Sequence, residues 1–161
     1  MKKLSILFVS LLICNSSYSQ TDNLVVDDVY AKSIKKLTRN KKVKKAFNYI
    51  IDIEEKTNKN LIELTEIEAP PFKEEKRAKE FAKRLQLAGL ENVWIDSIGN
   101  VIGFLKGSIG NKNIAINAHI DTVFPEGTDV RVQVRNDTLY APGIGDDTRG
   151  LAMLLTIAET I

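Results

Sequence analysis

Residues 113–123 read NIAINAHIDTV, and the fold prediction begins from this stretch. The apolar run Ile114-Ala115-Ile116 leads into His119, which is the only histidine of the chain. A run that is apolar on both sides is typical of a central strand covered by helices on both faces of its sheet. Residues i and i+2 of a strand point to the same side, so we expect His119 and Asp121 to act together at its carboxyl end, where α/β sheets place their sites.

The segments before this strand have helical periodicity. Apolar residues at i, i+4, i+7 and i+8 from Val43 predict an amphipathic helix, a second helix is predicted over residues 58–66, and a third over 73–88 with Gly89 after its end. Prolines 70 and 71 separate the second helix from the third, because proline disfavours helix continuation.

β-rich runs with Gly, Asn and Asp between them follow, at residues 92–96, 100–107, 113–120 and 130–141, and an apolar helix begins near residue 151. This order predicts an α/β fold, a three-layer αβα sandwich with a mixed sheet. The sequence reaches Ile161 within the apolar helical run, so we expect a sandwich that is incomplete at its C-terminus.

The composition is that of a soluble globular protein, with 43% hydrophobic and 27% charged residues among 161. The formal net charge of +2 comes from Lys2 and Lys3, and without them 21 basic and 21 acidic residues remain. No electrostatic case for nucleic acid or an anionic membrane follows. The lysines of RNKKVKK, residues 39–45, are interpreted as a solvated helix face, because no aromatic residues are interleaved with them.

The N-terminus has the pattern of a secretory signal peptide over residues 1–19. Two lysines precede a short apolar stretch at residues 4–13, which is too short for a stable membrane span, and Ser17 and Ser19 stand before the expected cleavage point. We therefore expect export to the periplasm or the extracellular space, with lipid attachment at Cys14 as a lesser alternative. A polar N-terminal extension is predicted at residues 20–42, followed at 43–161 by the N-terminal part of a larger folded domain.

The His-x-Asp pair is open to two interpretations. A histidine that binds a metal usually donates its other ring N–H to a carboxylate, which predicts His119 on the metal and Asp121 behind it. Taken alone, the pair more often indicates a core histidine that is satisfied by a neighbouring acid, because metal binding is only one of the several roles of histidine.

A second motif, YAPGIGDDTRG at residues 140–150, surrounds the acid pair Asp146-Asp147 with glycines. Adjacent carboxylates need a cation or a helix N-terminus to compensate them. Asp147 is the better candidate for capping the following helix, which leaves Asp146 as a possible metal ligand. A turn that carries a helix cap, without any metal, remains the alternative for this segment alone.

Together the two motifs resemble metallopeptidase family M20, the aminoacylase and carboxypeptidase-like zinc hydrolases. AHIDTV, residues 118–123, is similar to the first motif of that family, and YAPGIGDDTRG to the second. LIELTEIEAPPFKEE at residues 61–75 and DSIGNVIGFLKG at 96–107 are similar to its opening helix and its strand pair. The resemblance covers roughly residues 45–161 and is greatest to the secreted and peptidase T-like branches.

The resemblance implies a role for each matching residue. His119 and Asp146 would be zinc ligands, with Asp146 bridging two ions and its peptide bond to Asp147 cis, and Asp121 would serve catalysis by orienting His119. Two zinc ions about 3.5–4 Å apart would hold a bridging water, lower its pKa and polarise the scissile carbonyl. Cobalt or manganese would suit the same ligands. The substrate would be a peptide or an N-acyl amino acid.

Two departures from the pattern are small: Arg149 stands where many relatives have lysine, and Ala141 where glycine is usual. The Glu-Glu pair, a further acidic ligand, a second histidine and an inserted dimerisation domain of the family have no counterpart here, so we expect an N-terminal fragment of a larger enzyme. We expect the 161-residue chain alone to be inactive and to bind two zinc ions poorly, and any homodimer to form through that absent domain. An N-acyl amino acid deacylase, or a non-catalytic secreted binding module on this fold, remains the alternative to a peptidase.

Overall fold

The structure is a computed structural model that describes residues 27–107 and 112–161. The predicted signal peptide at residues 1–19 lies outside the described residues, as do residues 20–26 of the predicted extension. The chain divides into two compact units, Met1–Leu37 and Thr38–Ile161. In the described part of the chain, no helix combines the length and the apolar character that crossing a bilayer requires.

In the first unit the structure describes only the start of helix α1, Asp28–Arg39, which continues past the unit boundary. The Asp27 carboxylate accepts a hydrogen bond from the Val29 N–H at 2.9 Å and so caps the helix. None of the residues of α1 is buried.

The second unit begins with three helices, α2 at Lys41–Asp52, α3 at Glu54–Thr65 and α4 at Glu75–Leu87. They confirm the helices expected from periodicity, although α3 begins earlier than predicted. Gly89 has a φ of 99°, a left-handed conformation that ends α4 as the sequence predicted.

Two antiparallel hairpins and a last helix follow. Strands β1, Asn92–Ile95, and β2, Val101–Phe104, pair with each other, as do β3, Gln133–Arg135, and β4, Thr138–Tyr140. Helix α5 covers Arg149–Thr160 and confirms the predicted apolar helix. The architecture is mixed α and β, as expected.

The predicted mixed sheet is not formed by the described residues, because their strands make two separate two-stranded sheets. The predicted central strand at Ile114-Ala115-Ile116 is also wrong within this part of the chain, since residues 112–121 belong to no strand. Ile114 is 89% and Ile116 57% exposed, whereas the prediction required both to be covered. An apolar run becomes a buried strand only beside a neighbour that completes its hydrogen bonds, and no described strand pairs with it.

The β-rich run at 130–141 contains two strands where the sequence analysis gave one run. They form a hairpin, with Asn136 in the turn at a φ of 55°. Asparagine tolerates this left-handed conformation better than most residues, which makes Asn136-Asp137 the turn signal that the prediction overlooked.

The core of the second unit lies where α3, α4 and α5 meet. Its buried residues are Leu64, Phe81, Leu85, Leu151 and Leu155. Ala118 and Ile120 pack against this core from the otherwise irregular segment, and they alternate with His119 and Asp121. The core therefore fixes which side of this segment faces the candidate site.

Candidate metal centre

The structure brings His119, Asp121 and Asp146 together. The Nε2 atom of His119 lies 2.9 Å from Oδ1 of Asp146. Its Nδ1 atom lies 3.1 Å from Oδ1 of Asp121 and 3.0 Å from the carbonyl oxygen of the same residue. The imidazole thus stands between two carboxylates, one on each ring nitrogen, and the expected contact between His119 and Asp121 is present.

Both carboxylates affect the protonation of the ring. The hydrogen bond with Asp146 is the main reason that the pKa of His119 is raised above its ordinary value of 6.5. Asp121 acts in the same direction, and partial burial of the ring opposes both. An imidazolium donates from both nitrogens, so each carboxylate stabilises the protonated ring.

Asp147 has a different position from Asp146. Its Oδ1 accepts from the Gly150 N–H at 3.1 Å, in the first turn of α5, and its Oδ2 accepts from the His119 N–H at 3.2 Å. The first bond fulfils the predicted capping role. The second, which the sequence analysis did not foresee, joins the acid pair directly to the backbone of the His-x-Asp motif.

The acid pair lies in an irregular turn, Ile144–Thr148, which we call the acidic turn. The peptide bond between Asp146 and Asp147 is cis, as the family resemblance implies. Thr148 closes the turn: its N–H and its hydroxyl donate to the Gly143 carbonyl at 3.2 Å and 3.0 Å. Gly143 has a φ of 76°, a left-handed conformation that favours glycine, and this conformation explains why the motif has glycine at this position.

The donor atoms of His119 and Asp146 suit a zinc ion. Two ligands bound tetrahedrally at about 2.0–2.1 Å stand about 3.3 Å apart, so the 2.9 Å separation would have to open by only a few tenths of an ångström. The Asp146 side chain is 93% exposed and that of His119 48%, which leaves both free to make this adjustment. Imidazole nitrogen and carboxylate oxygen are also the donor types that zinc takes in hydrolase sites.

The described residues supply no more than part of a metal site. Across residues 27–107 and 112–161, no group of three or more His, Cys, Asp or Glu side chains is arranged to hold an ion. Asp121 and Asp147 lie close by, but each is already engaged with ring or backbone N–H groups. His119 and Asp146 are therefore the two side chains here whose donor atoms could share one ion, with Nε2 and Oδ1 2.9 Å apart.

The His-x-Asp segment is held by backbone contacts that the sequence analysis missed. The Thr122 N–H donates to the Ala69 carbonyl at 2.8 Å, and the guanidinium of Arg77 donates to the Ile120 carbonyl at 2.9 Å. Arg77 is fully buried although it is charged. Its position four residues before Phe81 and eight before Leu85, on the apolar face of α4, is the sequence signal that could have identified it.

Comparison with known proteins is consistent with this geometry. The model of Peptidase family M28 matches residues 100–161, a segment that includes both motifs. The M20 assignment is not confirmed by this match and stays a prediction.

Two curated proteins are similar to parts of the chain. Carboxypeptidase G2 of Pseudomonas sp. (strain RS-16) is 40% identical over 58 residues, which are 35% of this chain and 14% of that protein. A putative LysW-lysine/LysW-ornithine hydrolase of Pyrococcus abyssi (strain GE5 / Orsay) is 38% identical over 97 residues, which are 60% of this chain and 27% of that protein. The matched segments thus span about a quarter or less of these relatives, whose names describe hydrolases.

Proposed function

We propose that this chain carries part of the metal centre of a metal-dependent hydrolase that cleaves peptide or related amide bonds. The observation that carries the proposal is the position of the His119 ring, with Asp146 at Nε2 and Asp121 at Nδ1. The M28 match and the two hydrolase relatives support the same class of reaction.

In this proposal His119 and Asp146 hold zinc. When bound there, zinc would supply Lewis-acid chemistry, which polarises a carbonyl oxygen and activates water. Asp121 keeps a proton on Nδ1 and so leaves the Nε2 lone pair for the metal, which is how a carboxylate behind a ligating histidine fixes its tautomer. Asp147 accepts from the backbone N–H groups of both His119 and Gly150, so it ties the backbone of one ligand to the first turn of α5 beside the other.

We further propose that the enzyme is an M20-type exopeptidase, that it uses a pair of zinc ions, and that it is exported from the cell. The names of the two relatives, a carboxypeptidase and a putative LysW-lysine/LysW-ornithine hydrolase, support release of a terminal residue from an amide. Because this proposal assigns only two side chains to the metal, we expect the 161-residue chain by itself to bind zinc weakly and to hydrolyse little.

The test is hydrolysis by the protein purified from its native host, assayed on dipeptides and on N-acyl amino acids. We expect hydrolysis that a chelator abolishes and zinc restores, and that His119→Ala abolishes. Preference for N-acyl amino acids would favour the deacylase. Hydrolysis that neither chelation nor His119→Ala affects would refute the proposal.

A further inference from the structure

The buried guanidinium of Arg77 connects the candidate metal centre to the helical core. Arg77 lies in α4 with none of its surface exposed. It donates four hydrogen bonds, all to main-chain carbonyls: two to Ile67, at 2.6 and 2.9 Å, one to Thr65 at 3.3 Å and one to Ile120 at 2.9 Å. Among residues 27–107 and 112–161 no carboxylate accepts a hydrogen bond from Arg77, so the bonds described here all go to the main chain.

A buried arginine with such partners is unusual and costly. Removing a cation from water is unfavourable unless its donors are satisfied, and here every bond is to a carbonyl whose position is thereby fixed. Burial lowers the pKa of Arg77 to about 10, while the negative charge of Asp121 acts to raise it. Arg77 therefore remains a cation at neutral pH and keeps its full set of donors.

The bond to Ile120 is the one that bears on the site. Ile120 lies between His119 and Asp121, and its carbonyl belongs to a segment without strand partners in the described chain. Arg77 ties this carbonyl to Ile67, in the segment that leaves α3. The same two segments are also joined directly, because the Ala69 carbonyl, two residues after Ile67, accepts from the Thr122 N–H, two residues after Ile120.

We propose that Arg77 is a positioning residue that sets the distance between His119 and Asp146 by holding the Ile120 carbonyl. The proposal rests on the proposed function, since it assigns Arg77 a role at the metal centre that His119 and Asp146 form. Arg77 touches neither the metal nor the substrate in this account. It acts through the backbone between the two motif residues, and its loss should displace the ring from Asp146.

The test measures zinc binding to the full chain by following the ring nitrogens of its single histidine in 15N NMR. We compare Arg77→Lys and Arg77→Met with the wild-type chain. Lysine keeps the charge but has one donor group in place of the fork that spans the two segments. We expect both variants to bind zinc about 10- to 100-fold more weakly, the loss typical when a group that orients a metal ligand is removed.

Arg84 offers a matched control on the same helix. It bonds to Glu80, Glu63 and Asn60 and joins α3 to α4, but it makes no bond to the His-x-Asp segment. Arg84→Lys and Arg84→Met should lower stability without changing zinc affinity. Equal zinc affinity in Arg77→Lys and wild type would overturn the proposal, as would an equal loss in Arg84→Lys.

The 15N spectrum of the His119 ring in the absence of metal tests the role of Arg77 separately from zinc binding. If the wild-type chain bound no zinc at His119, the metal-centre proposal would fail, and Arg77 would lose the role assigned to it there. If wild type binds zinc, the metal-free spectra still report on Arg77. Replacing Arg77 should change the ring nitrogen shifts that Asp121 and Asp146 set, while Arg84→Lys leaves them unchanged. Arg77→Lys keeps the test available where Arg77→Met does not fold.

Discussion

Replacing Gly150 with alanine tests how Asp147 holds the two motifs together. Helix propensity favours this substitution, whereas the contact between the new side chain and Asp147 disfavours it. Gly150 lies in the first turn of α5, where helix propensity alone favours alanine over glycine by about 1 kcal/mol. A Cβ atom at this position would, however, overlap the Asp147 carboxylate, with Cγ and Oδ2 each 2.6 Å away. The carboxylate would have to move, because real Cβ atoms do not approach other atoms so closely.

The size of the effect follows from the bonds that Asp147 would lose. Its carboxylate accepts from the N–H groups of Gly150 and His119, and a hydrogen bond to a charged group contributes about 1.5–3 kcal/mol. Asp147 is only partly buried, so we take the lower end for each bond and about 3 kcal/mol for the pair. After the gain in helix propensity, Gly150→Ala should destabilise the fold by about 2 kcal/mol.

Thermal unfolding followed by circular dichroism measures this change, and about 2 kcal/mol corresponds to a fall of roughly 4–8 °C in Tm for a chain of this size. Gly145→Ala is the matched control from the same motif, because a Cβ there meets no atom within 4 Å. It should change stability by less than about 0.5 kcal/mol. A Gly150→Ala variant with a higher Tm than wild type would show that helix propensity dominates, and the reasoning about Asp147 would be refuted.

Three further substitutions or titrations test other parts of the structure. Gly143→Ala should lower the free energy of unfolding by more than about 1 kcal/mol in a urea titration, because Gly143 is left-handed at a φ of 76° and the new Cβ would stand 2.7 Å from Cγ2 of Thr122; unchanged stability would contradict this backbone conformation. Leu155→Ala should cost about 2–5 kcal/mol, since Leu155 is 1% exposed in the core, and a urea midpoint equal to that of wild type would argue against the packing described. The pKa of Asp96 should lie below its ordinary 3.8 in an NMR titration, because its carboxylate accepts a side-chain hydrogen bond from Asn100 as well as backbone N–H bonds in the β1–β2 turn. Because the pKa of Asp96 is lower in the folded chain than in the unfolded chain, ionised Asp96 stabilises the fold at pH values above the unfolded pKa. This stabilisation is lost as the pH falls through the folded pKa. Asp96→Ala should therefore destabilise the chain at neutral pH and have little effect in strong acid.

The helices were predictable because their information is local. The apolar residues Phe81 and Leu85 repeat at helical spacing in α4, and both are buried in the core. Gly89 marks the end of that helix in the sequence and is left-handed in the structure. Periodicity and a terminal glycine depend only on near neighbours, which is why they could be interpreted without knowing the rest of the fold.

The segment before His119 was not predictable in the same way. Ile114 and Ile116 have the composition of a buried strand, yet both are exposed, because a strand is defined by a partner that sequence composition does not identify. The alternation expected of an extended chain does hold from Ala118 to Asp121, where the core covers one side. The apolar pattern therefore predicted which side chains of this segment face the core, but not whether the segment pairs with another strand.

The motifs identified the side chains that the structure brings together at the candidate site, but not the contacts that hold them in place. His119, Asp121 and Asp146 were chosen by motif, and the structure places all three in contact. Arg77 was overlooked because it stands among other charged residues of α4, and its bonds to distant carbonyls depend on the tertiary fold. Asp147 was assigned a capping role, but its bond to the His119 N–H spans 28 residues and needed the structure.

The central claim is that His119 offers Nε2 to a metal while Asp121 holds the proton on Nδ1. Because the chain has one histidine, 15N NMR of its ring nitrogens during a zinc titration reports on this group alone. We predict that zinc shifts the Nε2 resonance to that of a metal-bound nitrogen, that Nδ1 keeps its proton, and that Asp146→Asn weakens the binding. A ring spectrum that zinc does not change, or binding through Nδ1, would contradict the metal-centre proposal.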